Sequence, residues 1–223
     1  MAGMSVGDRL NKINLRIENA CKRAGRDPRS VRLLAVSKLQ PLAKIREAFE
    51  AGHKDFAENY LQEAATKQEQ LANLPVGWHY IGRIQSNKAK LLPGKFKLIH
   101  SVDRLSVIDA LAKPRIPQEI LLQFNVAGEE SKGGAAEEEL EKMLLHADAT
   151  KLKVRGLMVM PPFTENPEDV RPFFKRAREC AAALGLSELS MGTTQDFEVA
   201  IEEGATWIRI GTDVFGPREK DEI

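Results

Sequence analysis

Apolar residues along this chain fall into two alternating rhythms. Leu10, Ile13, Ile17, Ala20 and Cys21 recur at three- and four-residue intervals, the spacing of a helix that buries one stripe. Ser5 and Asp8 stand where a capping box would open that helix, and Gly25 where it would stop. At residues 31–37 the rhythm changes to a short, almost continuous apolar run, which predicts a buried strand. Pro41 can open a second helix in its first turn, with Leu42, Ile45, Ala48 and Phe49 inward and Gly52 ending it. The exchange then repeats. Further strands are expected at residues 55–58, 78–81, 98–102, 120–126, 154–160, 189–191 and 207–210, with helical stretches between most of them, among them 60–72, 136–147 and 167–184.

Strands that alternate with helices imply an α/β fold with a parallel sheet. Eight strands in a chain of 223 residues favour a closed (β/α)8 barrel of the TIM type over an open doubly wound sheet. No Gly-x-Gly-x-x-Gly follows the first strand, which argues against a dinucleotide fold. With no Pro/Ser-rich linker and no second zone of composition, residues 1–223 read as one domain, of which 1–30 form the N-terminal helix and its connector.

Composition narrows the function. A formal charge of +1, with no block of like charge, offers no field for nucleic acid or an anionic membrane. The two cysteines, Cys21 and Cys180, match no metal or redox spacing, and a reducing cytoplasm is the expected location. No apolar run reaches membrane-spanning length, and the N-terminus does not read as a signal peptide.

The barrel turns two distant segments into one site. Chemistry in such barrels gathers at the C-terminal ends of the strands, and phosphate often sits on the loops after strands seven and eight. Lys38 closes the first expected strand, beside the last one around the ring. Strand seven runs out into Ser190-Met-Gly-Thr-Thr-Gln-Asp196, and strand eight into Gly211-Thr212. Thr193 and Asp196 have capping-box spacing before a short helix stopped at Gly204, whose start would add N–H groups and a positive dipole end. A lysine amine can form a Schiff base with an aldehyde, and a Gly-Thr step can offer N–H groups and a hydroxyl to a phosphate. Pyridoxal 5'-phosphate (PLP) carries both groups on one ring, so the pair reads as a cofactor cradle.

Each residue also has a plainer reading. Arg209 points opposite to Ile208 and Ile210, and near a strand end a cofactor partner is favoured over a surface excursion. Asn59 fits a helix cap as well as a cofactor contact. His79 reads as a hydrogen-bonded core residue rather than a base, Met158 and Met160 as packing, and Gln85-Ser-Asn-Lys88 as the opening of a helix.

The chain resembles the pyridoxal-phosphate homeostasis family (the YggS/PROSC group), whose barrel is similar to the N-terminal domain of alanine racemase. The resemblance runs from about Val31 to Gly216 through Leu34-Ala-Val-Ser-Lys38, Glu58-Asn-Tyr-Leu-Gln-Glu63, Trp78-His-Tyr-Ile-Gly82, Gln85-Ser-Asn-Lys88, His100-Ser-Val-Asp103, Ser131-Lys-Gly133, Gly156-Leu-Met158 and Arg209-Ile-Gly-Thr212. It implies an aldimine at Lys38, phosphate contacts from Ser190, Thr194, Gly211 and Thr212, Arg209 facing the pyridine nitrogen, and Asn59 near the ring. The family usually has Gly where this chain has Ala57, and Met-Gly-Met-Ser where it has Met191-Gly-Thr-Thr194. Threonine keeps the hydroxyl that a phosphate contact needs.

An arginine stays charged and cannot share the ring's proton, so Arg209 would weaken the cofactor as an electron sink. Racemisation needs a second acid/base. In alanine racemase a tyrosine from another domain supplies it, whereas Tyr60 and Tyr80 both lie within the barrel region here. The expectation is a PLP carrier, not an enzyme, without metal and monomeric, with apo PLP-dependent enzymes as recipients. A racemase-like enzyme, a docking protein plugged by the cofactor and a Schiff-base aldolase without PLP are the alternatives.

Overall fold

A computed structural model describes residues 4–129 and 133–217. Eight parallel strands follow one another around a closed barrel: β1 Arg32–Val36, β2 Asp55–Glu58, β3 Gly77–Tyr80, β4 Leu98–Val102, β5 Gln118–Phe124, β6 Leu152–Val159, β7 Glu188–Ser190 and β8 Trp207–Ile210. The ring closes where β1 pairs with β8, Leu34 opposite Arg209 and Ala35 opposite Ile210. The expected (β/α)8 architecture is therefore present.

Helix α1 (Val6–Arg23) precedes the barrel, and the others lie between or after the strands: α2 Leu42–Glu50, α3 Leu61–Gln70, α4 Ser86–Ala89, α5 Leu105–Ala112, α6 Glu137–Asp148, α7 Arg171–Ala183, α8 Phe197–Glu202 and α9 Thr212–Phe215. At α1 one arm of the expected capping box forms, while the Asp8 carboxylate takes the Ser5 hydroxyl rather than its N–H, and the expected stop acts at the other end. The Ser5 hydroxyl accepts from the Asp8 N–H at 3.1 Å, and Gly25 turns the chain away with φ +63°. Pro41 sits one residue earlier than expected, as the cap of α2 rather than in its first turn. Helix α1 packs against α2, α8 and α9, so it covers the outside of the β8–β1 seam.

The ladders of β3, β5, β6 and β7 begin and end one or two residues before the apolar runs do. Val126 and Met191 are buried although they lie past the strands, so packing outlasts hydrogen-bonded pairing. At the other end of β5, polar Gln118 joins the ladder. Its side chain donates to Phe96 O at 3.0 Å and accepts from Gly94 N at 3.1 Å, which a hydrophobic rhythm cannot reveal.

Alternation along each strand divides the core in two. Ile208, Ile210, Ala35 and Phe56 join the layer between strands and helices. Leu34, Ala57, Leu98, Leu121, Met158 and Trp207 fill the barrel itself, with Val36 and Ile81 against them. Ala57 lies in regular strand with negative φ, so its methyl group is accommodated without strain.

A polar knot secures the turn after β1. Ser37 is fully buried and its hydroxyl donates to Glu58 Oε1 at 2.6 Å. The Lys67 ammonium spends its three donors on Ser37 O (2.6 Å), Glu58 Oε1 (2.8 Å) and Glu63 Oε1 (2.7 Å). Glu63 Oε1 also accepts from the Leu39 N–H at 2.6 Å, and Leu39 has φ +57°, a conformation uncommon without glycine. Residues 37 and 39 are thus clamped on either side of Lys38. Burial pushes the Glu58 carboxyl up, against the lowering pull of Lys67. Lys67→Met should leave Glu58 uncompensated and cost about 3–5 kcal/mol in denaturant unfolding. The double variant with Glu58→Gln should recover a large part of that loss. An unchanged unfolding midpoint for Lys67→Met would show that the knot does not hold this turn.

Candidate active-site cavity

The C-terminal ends of the strands surround a cavity of about 250 Å³. Val36, Lys38 and Gln40 reach it from β1 and the clamped turn, Asn59 and Ile81 from the ends of β2 and β3, and Met158 and Met160 from β6. Thr193 and Thr194 come from the loop after β7, and Arg209, Gly211 and Thr212 from β8 and its exit. Six of the seven residues expected from sequence, Lys38, Asn59, Thr194, Arg209, Gly211 and Thr212, therefore share one wall-to-wall space.

Two loops, after β7 and β8, shape the side of the cavity that adjoins β1. After β7 the backbone turns at Gly192 with φ +90°, and a side chain there would lie 2.6 Å from Ala200 Cβ. That close approach folds the loop onto α8. The Asp196 carboxylate then accepts from the Thr193 N–H (2.6 Å) and hydroxyl (3.0 Å), which forms one arm of the expected capping box. Thr193 is consumed by that turn, whereas the Thr194 hydroxyl makes no hydrogen bond among the described residues. After β8 the chain passes directly into α9 at Thr212, which leaves N–H groups at its start without intrahelical acceptors. Gly82 serves Asn59: a β-carbon at Gly82 would collide with the Asn59 backbone, so the β2 and β3 exits run in contact.

Ser190 is placed differently from the other six. It is fully buried and outside the cavity wall; its hydroxyl oxygen accepts from Arg209 Nη1 at 2.9 Å and lies 2.9 Å from His100 Nδ1. Arg209 also donates from Nη2 to Val159 O at 3.0 Å. Desolvation pulls the Arg209 guanidinium down to about 10, which leaves it cationic at neutral pH. Two cationic residue types, Lys38 and Arg209, thus face a cavity whose lining residues include no carboxylate. An anion is the natural guest of such a space.

Asn59 does not cap α3. The cap position belongs to Tyr60, and Asn59 Oδ1 is buried without a hydrogen-bond partner. Gln40 Oε1, also on the cavity wall, is buried and equally unpartnered. Unmet buried polar atoms are costly and call for an explanation; here both sit where a polar ligand would meet them. Gln40 lies in no motif that the sequence offers, so this placement was not legible there. His79 is fully buried and hydrogen-bonded, as expected, and Gln85 caps α4. Met158 both packs in the barrel and lines the cavity, while Met160 is half exposed at its rim. Ser131 and Lys132 lie outside the described residues.

Comparison with known proteins shows the family and the fold. The family model described as alanine racemase, N-terminal domain, matches residues 9–219. The chain is 46% identical to the pyridoxal phosphate homeostasis protein of Aquifex aeolicus over 97% of its own length and 100% of the relative's. It is 47% identical to the protein of the same name from Pseudomonas aeruginosa, covering 96% of each chain. Among solved structures, PipY of Synechococcus elongatus with PLP bound superposes with a TM-score of 0.80 at 37% identity, over 90% of this chain and 100% of PipY. Alanine racemase from Corynebacterium glutamicum shares the fold, with a TM-score of 0.69 at 16% identity over 96% of this chain and 63% of the racemase. With the barrel, the lysine turn and the two neighbouring loops in place, the chain belongs to the pyridoxal phosphate homeostasis protein family, built on the barrel of the alanine racemase N-terminal domain.

Proposed function

We propose that this protein binds PLP in the C-terminal cavity, as a Schiff base on Lys38, and serves PLP homeostasis in the cytoplasm without sustained turnover. The observation that carries the reading is the convergence of Lys38, Arg209, Asn59 and the two Thr-bearing loops on one cavity free of carboxylates. The name of the relatives and the PLP bound to PipY support it. Bound PLP supplies an aldehyde, a ring nitrogen and a phosphate dianion.

This chain's own residues divide the work of holding it. The clamped turn presents the Lys38 amine. The Thr194 and Thr212 hydroxyls and the N–H groups at the start of α9 face the phosphate, and Gly211 permits the close passage beside β1. Arg209 donates toward the ring nitrogen and, being cationic, keeps that nitrogen unprotonated. Asn59 and Gln40 supply the buried polar atoms that await partners. Among the cavity-lining residues, Lys38 is the group suited to passing a proton, so a second acid/base on the opposite face is lacking. Holding and releasing the cofactor fits this wall better than catalysis, with apo PLP-dependent enzymes as the recipients.

Lys38→Ala should abolish the yellow colour and the borohydride-reducible adduct while leaving the circular dichroism spectrum intact. A reduced peptide mapping to Lys88 or Lys132 would place the linkage elsewhere.

Thr194→Ala and Thr212→Ala should each remove a hydrogen bond to a charged oxygen, about 1.5–3 kcal/mol, and weaken PLP about ten- to a hundredfold in equilibrium titrations. Pyridoxal, which lacks the phosphate, should be insensitive to both. Equal losses for the two ligands would move the phosphate site away from these loops.

At a hundredfold excess over its dissociation constant, PLP should stabilise the fold by about 2.7 kcal/mol and raise Tm by roughly 5–10 °C. Incubation with L- or D-alanine, serine or glutamate should leave the enantiomer ratio and keto-acid level unchanged. Racemisation that vanishes in Lys38→Ala would instead establish an enzyme.

A further inference from the structure

Beneath the cavity, four polar side chains run through the barrel from Arg209 to its opposite end. Arg209 Nη1 donates to Ser190 Oγ at 2.9 Å. Ser190 Oγ lies 2.9 Å from His100 Nδ1, and His100 Nε2 lies 3.0 Å from His79 Nδ1. His79 Nε2 lies 3.3 Å from Asp55 Oδ1, which also accepts from Lys97 Nζ at 2.9 Å. Ser190, His79 and His100 are fully buried, and β2, β3, β4, β7 and β8 each contribute one member.

The two ends of this chain determine the proton on every link between them. A guanidinium only donates, so Ser190 Oγ accepts from Arg209 and its own hydrogen needs an acceptor. Among the described residues, His100 Nδ1 is the partner within reach. Nδ1 must then be bare and the His100 proton must sit on Nε2, where it points to a bare His79 Nδ1. The His79 proton is left on Nε2, directed at the acceptor-only Asp55 carboxylate. Reversing the order would set a bare Nε2 lone pair against that carboxylate and strand the serine hydrogen. A protonated His79 would force the same fault at Ser190.

We propose that Asp55, His79, His100 and Ser190 are positioning residues for Arg209, forming one oriented hydrogen-bond chain with both imidazoles neutral and protonated on Nε2. Every link presents a lone pair toward Arg209 and a hydrogen toward Asp55. The aligned dipoles stabilise a buried cation at one end and a carboxylate at the other, and hydrogen bonds in series reinforce one another. This supplies what the guanidinium otherwise lacks: no carboxylate hydrogen-bonds to Arg209 among the described residues, and Asp196 acts on it only at longer range. Burial keeps both histidines from charging, as the chain requires. The hydrogen bonds to Asp55 from His79 and Lys97 outweigh the effect of its own burial and keep it ionised. Arg209 is left with a fixed aim on the cavity wall, with Nη1 and Nη2 each anchored once. The functional consequence rests on the PLP reading: the aim and charge that Arg209 offers the ring nitrogen are set from the far end of the barrel.

Two measurements test the chain separately from that reading. Long-range proton–nitrogen NMR on cofactor-free, histidine-labelled protein should show His79 and His100, two of four histidines in the chain, as neutral Nε2–H tautomers. Asp55→Ala should leave His79 as the Nε2–H tautomer, which Arg209 and Ser190 still impose, and shift its Nε2 resonance as the acceptor is lost. An Nδ1–H tautomer or an imidazolium at either position in the parent protein would overturn the chain, whether or not PLP binds. In the cofactor-loaded protein, Ser190→Ala should weaken PLP about tenfold and shift its visible absorption band, and Ser190→Thr should restore both. An unchanged band and affinity in Ser190→Ala, with the parent tautomers as stated, would overturn the positioning role. Failure of the parent protein to bind PLP would overturn the cofactor reading and leave the tautomer result standing on its own.

Discussion

The seam between the first and last strands is the constraint on which the rest depends. Lys38 and Thr212 come from opposite ends of the chain and have no local reason to meet. Pairing of β1 with β8, Leu34 opposite Arg209, carries their exits to the same end of the barrel. The approach leaves little slack, since a β-carbon on Gly211 would come within 3.3 Å of Val36 O. Helix α1 reinforces the seam from outside: Arg16 pairs with Glu198 of α8 and Asp213 of α9, and its guanidinium lies 4.4 Å from the centre of the Phe197 ring. Half-exposed ion pairs of this kind contribute little each, so the buried stripe of α1 carries most of the docking energy.

Inside the ring, apolar filling and polar wiring share a narrow space. Trp207 separates them. Its ring lies 4.7 Å from His79 and 6.0 Å from His100, while its indole N–H donates to Glu188 at 2.7 Å. On the same ring, Arg32 stacks 3.8 Å from the centroid and pairs with Glu188. An apolar layer of equal volume would be at least as stable, because desolvating polar groups offsets much of what their hydrogen bonds return. What the polar filling adds is direction. A leucine in place of His100 could fill volume, but it could not tell Ser190 which way to turn its hydrogen.

The sequence made the barrel and most of its site legible because both follow from periodicity and strand ends. The rhythm of residues 31–37, repeated seven times, marks strands, and strand ends mark the site. What stayed hidden has physical causes. Gln118 enters β5 as a polar residue whose partners lie on a neighbouring loop, which no window along the chain contains. Lys67 looks like a solvated helix lysine until the barrel buries it against Glu58. Ser190 shares its stretch with Thr194, and the family resemblance implies a phosphate contact for both. Ser190 ends β7 facing His100 and Arg209, whereas the turn at Gly192, with φ +90°, carries the chain out of the strand and brings Thr194 to the cavity.

The same distribution of charge that favours a phosphate narrows the available chemistry. A wall with cationic groups and no carboxylate lowers the free energy of an anion wherever it sits, in the resting complex as much as along a reaction path. Catalysis needs interactions that strengthen at the transition state, and uniform attraction provides none. A carbanion-forming route would further require the ring nitrogen to accept charge. On the proposed PLP reading Arg209 would resist this: even pulled down to about 10 it keeps its proton at neutral pH, and its orientation is tied to Ser190 and Val159. On the same proposed reading, tight holding and weak chemistry would share one cause, the placement of a buried arginine held by Ser190 and Val159.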